Sequence, residues 1–526
     1  MWLLYLIIVI GLTIYWYIRN EQNAVEEFKQ RNLKYVSFGN MFTIFLKKER
    51  IELVKDAAVR REGPAFGFKM LGLNTIMLTD ADIIQTILHK DFTNFTNRRE
   101  FPEFNKLITE NVAFVPDEQW KRLRSISSPS FSIGKLKQMK SCIDKTIEMF
   151  TENFSKQIKQ KDVQNLKFNF DCFTLDIITQ VAFGINVNSL NNPKHPIIVN
   201  VQKVLQHNDS WINLVKFTLL LCVPKLSKLL NITVLTDVTD FFSKLSMDIM
   251  EKKRIEYQKT KTFAKANSFI EFMLEAEEAA KKMEQENAND EGEGSRKPTK
   301  FLTNDETISQ CIMFFMTGID TTSSTLCSTA YHLALNPEKQ EKLFEETMAT
   351  FEQLQIESSD ETDCFKMITY DNITRFEYAL AVLDETLRLS PPVIFVERQA
   401  SKDMELFNND RSIRINAKKG DMFHIPVYSI HYDEKYFPEA KSFRPERFLG
   451  DEVSGLSKNM YLPFGSGPRN CIARNLALLT TRLALIHFIR LFKFEVCERT
   501  TIPMEFFNQF DVNTPKECYL RIVSRN

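Results

Sequence analysis

One cysteine stands out for its surroundings. In FGSGPRNCIA, Phe464–Ala473, two glycines, a proline and an arginine crowd around Cys471, and the helical pattern IARNLALLTTRLALIHFI begins straight after it. The thiolate is the ligating and nucleophilic form of cysteine, and a helix N-terminus favours it. Gly465 and Gly467 let backbone approach the sulfur and direct N–H groups at it. Arg469, two residues upstream, is placed to bind an anion on the same face. A cysteine nucleophile would need a histidine base. His431 and His487 exist, but neither belongs to a protease or transferase signature. An axial ligand, with the arginine holding an acidic group of the bound cofactor, suits the loop better, and haem iron with its propionates has that chemistry.

Two further clusters carry chemical side chains. TGIDTT, Thr317–Thr322, falls inside an apolar stripe made by Ile308, Cys311, Ile312, Phe315 and Ile319. Gly318 costs such a helix about 1 kcal/mol relative to Ala, and Asp320 and Thr321 set an acid and an alcohol beside it. That combination reads as a helix widened around something small; the bland alternative is a solvated turn with threonine bonding back to its own helix. ETLR, Glu385–Arg388, puts opposite charges three residues apart on one helix face. Leu383, Leu387 and Leu389 embed the pair in apolar surroundings, and a buried pair needs more partners to offset its desolvation. Arg447 of FRPERF, Phe443–Phe448, is available as one.

The elements that must position these groups are mostly helical. Helical spacing runs over Ile133–Gln157, Phe170–Phe183 and Val238–Lys259, a long apolar helix follows Asp305, and another follows Cys471. Short strand-like runs appear at Asn74–Asp80, Ser412–Asn416 and Met422–Pro426. The expected fold class is mainly α with a small β region, a single large domain spanning 35–526. Glu275–Lys300 is polar, charged and glycine-bearing, and reads as a mobile surface loop. VKFTLLLCVPKLSKLL, Val215–Leu230, fits either a pair of core helices or a flap dipping into a membrane surface.

The chain opens with MWLLYLIIVIGLTIYWYI, uncharged from Met1 to Ile18. As a helix it would be roughly 27 Å long, close to one hydrocarbon core. Nothing basic precedes it and no small-residue cleavage site follows, so 1–18 is expected to be a transmembrane anchor and 19–34 a charged connector. Basic residues downstream place the remainder on the cytosolic side. The 68 basic and 68 acidic residues balance among 526, which excludes nucleic acid as the main partner. Nine cysteines scattered singly fit reduced thiols rather than a disulfide scaffold. Phenylalanine, at 44 copies, points to an aromatic core or pocket.

Taken together, FGSGPRNCIA, TGIDTT, ETLR, FRPERF and WKRLR (Trp120–Arg124) resemble, in order and spacing, the motifs of the cytochrome P-450 monooxygenases. FTNRREF and WKRLRSISSPSFSIGKLKQM look most like the microsomal branch, which holds vertebrate drug- and steroid-oxidising enzymes and insect detoxifying ones. The resemblance implies a haem-thiolate monooxygenase with haem b held by Cys471 as axial ligand. Trp120, Arg124, Arg398 and Arg469 would hold the propionates with help from Arg98, and Phe464 would flank the cofactor. Asp320 and Thr321 would supply protons for oxygen activation, and Glu385, Arg388 and Arg447 would form a structural triad. Phe101, Met316 and Thr317 would line the substrate pocket.

The implied partners are an NADPH-dependent flavin reductase, cytochrome b5 as a further electron donor, O2, a lipophilic small molecule and the endoplasmic reticulum membrane, with no nucleic acid. Lys121, Arg122, Lys135 and Lys137 are candidates for a basic docking patch, or else a merely solvated face. Three features depart from the family pattern. Ala473 replaces a glycine, Thr317 replaces a small residue, and Asn32–Asn40 lacks the usual proline-rich hinge. A hydroperoxide isomerase or a non-catalytic haem protein on the same fold are the competing readings; the Asp320–Thr321 pair argues against the first.

Overall fold

The computed structural model describes residues 19, 21–37, 51–70, 73–100, 106–192, 194–206, 236–260, 268–288, 301–357, 363–455, 457–507 and 512–525. The expected anchor (1–18), Phe101, the 215–230 segment and residues 289–300 lie outside them. Among the described residues no helix is long and apolar enough to cross a membrane.

The principal helices are α1 (Ile51–Glu62), α2 (Asp117–Ser127), α3 (Ile133–Gln160), α4 (Leu166–Phe183), α5 (Thr236–Thr260), α6 (Phe269–Ala288), α7 (Asn304–Leu335), α8 (Pro337–Glu357), α9 (Glu377–Leu389) and α10 (Arg474–Leu491). The strands are β1 (Ala65–Met70), β2 (Leu73–Leu78), β3 (Val163–Asn165), β4 (Val396–Gln399), β5 (Met404–Phe407), β6 (Arg414–Ala417), β7 (Met422–Ile425), β8 (Phe492–Glu495) and β9 (Tyr519–Ser524). They form sheets of order β1-β2-β7-β4, β3-β9-β8 and β5-β6. In the largest, β2 and β7 run parallel and the other pairs antiparallel. The chain is therefore mainly α with a small β region.

Helix α7 is the beam around which the others pack. A capping box starts it: Glu306 N–H donates to Thr303 Oγ1 at 3.2 Å and Thr303 N–H to Glu306 Oε2 at 3.0 Å, satisfying two donors that a helix N-terminus leaves open. Nearly every residue from Glu306 to Ala334 is buried, and α4 packs against it more extensively than any other element does. Gly318 makes that approach possible, since a Cβ there would stand 2.8 Å from Ile178 Cδ1 of α4. The expected widening does not occur; α7 is a continuous α-helix, and the glycine serves helix packing. Phenylalanines supply much of the core, Phe150, Phe154, Phe170, Phe173 and Phe488 forming one connected aromatic cluster with centroids 5.0–6.4 Å apart.

Two expectations are corrected. Glu275–Ala288 is the second half of α6 rather than loop, its charges paired along the helix as in Lys281–Glu277 at 2.6 Å. The supposed connector is also part of the packed domain. Residues 21–30 are helical, Ala24 and Phe28 are fully buried, and Arg31 pairs with Asp421 at 2.8 Å. Tyr35 then bridges to Gly67 of β1.

The ETLR pair is buried and fully partnered. Arg388 donates Nε and Nη2 to the Glu385 carboxylate at 2.8 Å each, and its remaining N–H groups reach the carbonyls of His431, Ala440 and Ser442. Arg447 Nε stands 3.0 Å from the same carboxylate, and its Nη atoms bond the carbonyls of Pro438 and Glu439. His431 joins this knot to the chain leading into the cysteine loop. Its Nε2 accepts from Leu462 N–H at 2.9 Å, which leaves Nδ1–H to donate to Arg388 O at 3.1 Å. Burial, reinforced by Arg388, pushes the imidazole down to about 3.

Removing one partner of such a buried set strands the others. Glu385→Gln should cost about 3–5 kcal/mol, read as a lower unfolding midpoint. For His431, a folded pKa below the unfolded one means its contribution is intact above about pH 6.5 and is lost as pH falls toward 3. Unfolding free energies at pH 6.5 and 5 should therefore change less in His431→Gln than in the parent chain, by about 1.4 kcal/mol per pH unit. Equal slopes would contradict the neutral assignment.

Candidate active site

The cysteine loop is folded by its own backbone. Gly465 N–H donates to Leu462 O at 3.0 Å, Asn470 N–H to Gly467 O at 3.1 Å, and Cys471 N–H to Phe464 O at 3.0 Å. Gly465 and Gly467 have φ of 67° and 76°, which glycine adopts without strain. Gly467 is required for a second reason: a Cβ would lie 2.0 Å from Leu88 O, in a π-helical turn at Thr86–Lys90. The two glycines thus shape the loop and seat it on the neighbouring turn. The backbone N–H that faces the sulfur belongs to Ala473, which leads into α10, so that part of the sequence expectation shifts by several residues. Burial pushes the thiol up, while the Ala473 N–H and the charges of Arg124, Arg98 and Arg474 oppose it.

Cys471 faces an internal cavity of about 410 Å³ between α7, α4, α2, β4 and the loop. Trp120, Arg98, Arg124, Arg398, Arg469 and Phe464 all line it, as do Thr317 and Thr321. Helix α2 carries Trp120 and Arg124 one turn apart, so both reach the same wall. The bridge between Asn97 and Gln399 brings Arg98 beside β4 and its Arg398. Arg98 Nη2 donates to Arg469 O at 3.0 Å, and Arg124 grips Asn470 through its carbonyl at 2.9 Å and its Oδ1 at 2.8 Å. Arg469 bonds Thr96 O and Val115 O, and its guanidinium stacks 5.0 Å from the Trp120 ring.

These cations outnumber their counter-charges. Burial, then mutual repulsion with Arg98 and Arg469, holds Arg398 well below the usual guanidinium range. Burial and guanidinium repulsion also bring Arg469 down to about 9 and lower Arg98, and burial lowers Arg124, although the Cys471 charge supports the last two. The nearby carboxylate, Glu397, is committed elsewhere: Arg99 meets it at 3.0 Å and His424 Nδ1 at 3.4 Å. Trp120 Nε1, Arg398 Nε and Arg469 Nε are buried donors without partners. A buried cation cluster with spare donors fits an anionic ligand, and haem, with two carboxylates and an iron that takes a thiolate, matches this donor set.

The remaining site residues divide. On α7, Met313, Phe314, Thr317, Gly318, Thr321, Thr322 and Thr325 line the cavity. Met316 does not; it lies one position round the helix and packs on the main core. Asp320 also turns away from the cavity, toward α4, where Lys167 meets it at 3.1 Å. Thr321 Oγ1 donates to Thr317 O at 2.7 Å and Thr325 Oγ1 to Thr321 O at 2.8 Å, so both hydroxyls present lone pairs as well as occupying a helix carbonyl. The proposed docking patch is internally neutralised. Lys121 pairs with Asp117, Arg122 with Glu306, Lys135 with Glu275 and Lys137 with Asp371.

Several cavity residues escaped the sequence reading. Glu397 is an acid beside Arg398 inside a strand-like run, a weak sign of a buried pair. Asn470, Arg99 and Phe395 carried no sign at all.

Residues 32–521 match the family model described as Cytochrome P450. Cytochrome P450 3A9 of Rattus norvegicus is 32% identical over 453 residues, covering 86% of this chain and 83% of that one. Cytochrome P450 3A5 of Homo sapiens is 32% identical over 472 residues, 89% and 86% of the two chains. Lithocholate 6-beta-hydroxylase of Mesocricetus auratus is 30% identical over 473 residues, 90% and 87%.

Because the guanidiniums repel one another until an anion arrives, Arg398→Gln should act oppositely on the two forms. The ligand-free chain should melt higher, and the loaded chain should lose its cofactor faster to an acceptor protein. A drop in both would mean that Arg398 serves packing alone.

Proposed function

The chain belongs to the cytochrome P450 family and is a haem-dependent monooxygenase acting on lipophilic substrates; from that premise we propose that Cys471 is its axial ligand and that the 410 Å³ cavity is its active site. The observation that carries this reading is the convergence of a lone thiol, an unpartnered indole N–H and four crowded guanidiniums on one internal space. Trp120, Arg98, Arg124, Arg398 and Arg469 would hold the two carboxylates of haem b, which would relieve the crowding of the guanidiniums. Haem held there through the Cys471 thiolate would supply the chemistry of O2 activation and oxygen insertion into a C–H bond.

The protein's own residues supply position, exclusion of water and protons. Val112, Phe114, Ile177, Met313, Phe314 and Val393 make the cavity wall apolar, as a lipophilic guest requires. Thr317 stands in the cavity with its hydroxyl bonded to Met313 O at 2.9 Å. It narrows the space beside the reacting centre and offers a lone pair to a substrate donor. Thr321 accepts a hydrogen bond from water or ligand at the centre of that stripe, and Asp320 behind it is the acid that replenishes the proton. Phe464 flanks the loop, held by Arg474 at 5.9 Å from its ring. Residues 1–18 anchor the chain in the endoplasmic reticulum membrane with the domain in the cytosol, where an NADPH-dependent flavin reductase, and cytochrome b5 beside it, deliver electrons to the Cys471 face.

The test is the carbon monoxide difference spectrum of the reduced, full-length protein. A red-shifted Soret band is expected, and Cys471→Ala should lose it while Cys311→Ala keeps it. A band at the histidine-haem position in the parent chain would remove Cys471 from the iron.

A further inference from the structure

Residues 392–395 lead from the end of α9 into β4 and form one side of the cavity, with Pro392, Val393 and Phe395 in its wall. The stretch has little of its own to hold it in place. Pro391 and Pro392 have no N–H to give, and no helix or named strand includes residues 390–395. Its position is therefore set by neighbours. On one side Tyr428 N–H donates to Ile394 O at 3.2 Å. On the other the C-terminal segment supplies Asn513 N–H to Pro392 O at 2.8 Å, and Val512 bridges Val393.

Residues 512–515 are irregular as well, so they too must be fixed from outside. Asn513 and Thr514 are buried. Thr514 O accepts from Phe507 N–H at 2.9 Å, and its Oγ1 donates to Asp320 Oδ2 of α7, 194 positions away in the chain. The other oxygen of that carboxylate, Oδ1, meets Lys167 Nζ of α4 at 3.1 Å, and Lys167 is in turn paired with Asp171 at 2.5 Å. Asp320 is thus a bracket, with one oxygen on α4 and the other on the C-terminal segment. A hydrogen bond to a buried carboxylate is roughly twice as strong as one between neutral groups. A path of direct contacts therefore runs from α7 through Asp320, Thr514 and Asn513 to Pro392. Asp320 faces away from the cavity, yet it holds part of the wall.

We propose that Thr514 is a positioning residue that sets specificity: by tying the C-terminal segment to α7 it fixes how far the Pro392–Val393 wall stands into the cavity, and so which carbon of a lipophilic guest is presented for oxidation. The tie is a hydroxyl donating to a carboxylate, and no proton changes hands. Reaction requires the reacting atoms within a narrow range of distance and angle, so a small displacement of one wall redirects the guest. The inference rests on the cavity being the active site, and the variants separate the two ideas.

The experiment uses the full-length, haem-loaded protein with its reductase and n-alkylbenzenes, at the chain length the parent enzyme oxidises best. Their benzylic and chain carbons are distinct targets in one molecule. Thr514→Val keeps the shape and removes the donor, while Thr514→Ser keeps the donor. Thr500→Val removes a hydroxyl bond of the same C-terminal region, to Tyr519 O at 2.7 Å, outside the cavity lining. The substrate-induced Soret shift gives affinity, and product analysis gives the ratio of benzylic to chain oxidation. In Thr514→Val the ratio should change and affinity weaken, each about threefold or more, with the carbon monoxide band per haem unchanged. Thr514→Ser should return both to parent values, and Thr500→Val should leave both alone. A merely structural role would lower the unfolding midpoint and haem content but leave the product ratio of the remaining loaded enzyme at its parent value. That result overturns the proposal, as does an equal change in Thr500→Val. Val393→Phe tests the reading underneath. If it alters neither affinity nor ratio, the cavity is not the substrate site and both ideas fall; if it alters them while Thr514→Val does not, the tie alone is overturned.

Discussion

Positive charge buried without enough negative charge is the constraint that organises this molecule. Arg98, Arg124, Arg398 and Arg469 come from four separate stretches of chain and end within one cavity. Placing them together costs desolvation and repulsion that Glu397 and Asp117 offset only in part, since Glu397 is also shared by Arg99 and His424. The arrangement is stable only if the rest of the fold holds it and an anion joins it. Arg469 accordingly donates to the carbonyls of Thr96 and Val115, Arg398 to those of Glu397 and Ser466, and Arg98 and Arg124 to one each, at Arg469 and Asn470, which fixes their positions before any ligand arrives. The carbonyls of Ser466, Arg469 and Asn470 belong to the loop that presents Cys471, so cation placement and thiol placement are one structural problem.

The scaffold meets that problem with a second, satisfied charge set. Glu385, Arg388 and Arg447 are almost wholly buried, and Arg388 uses all its N–H groups. His431 then passes the position of this knot to Leu462, three residues before Gly465. Helix α7 separates two environments by the simple fact of its periodicity. Threonines at 317, 321 and 325 repeat every four residues and face the cavity, while Asp320 and Ser323 face α4 and its Lys167. The Asp320 carboxylate thus lies on the α4 side of the helix, away from the apolar cavity wall.

Much of this was legible in the residues themselves. The helical spacing placed Ile133–Gln160 and Leu166–Phe183 to within a few residues and the starts of Asn304–Leu335 and Arg474–Leu491, since long apolar stripes have few alternatives to burial. The loop around Cys471, the ETLR pair and the tryptophan and arginine of WKRLR were identifiable because each is short and local in sequence. Errors fell where local pattern and tertiary packing disagree. Glu275–Ala288 looks like a loop by composition yet forms salt-bridged helix, and the charged stretch before Leu33 looks like a tether yet buries Phe28 and pairs Arg31 with Asp421.

By itself the sequence determined that one thiol lies in a built loop, that an acid and an alcohol share a buried helix, and that the domain is mostly helical. Those properties depend on neighbours within a turn or two of chain. Only the tertiary structure decided which way the groups point and what they share. The sequence cannot say that Gly467 is needed by Leu88 O, that Gly318 is needed by Ile178, that Met316 turns from the cavity, or that Asp171 and Asp320 divide one lysine. Each of those facts is a contact between residues far apart in the chain, set by how helices approach and by the need of every buried charge for a partner.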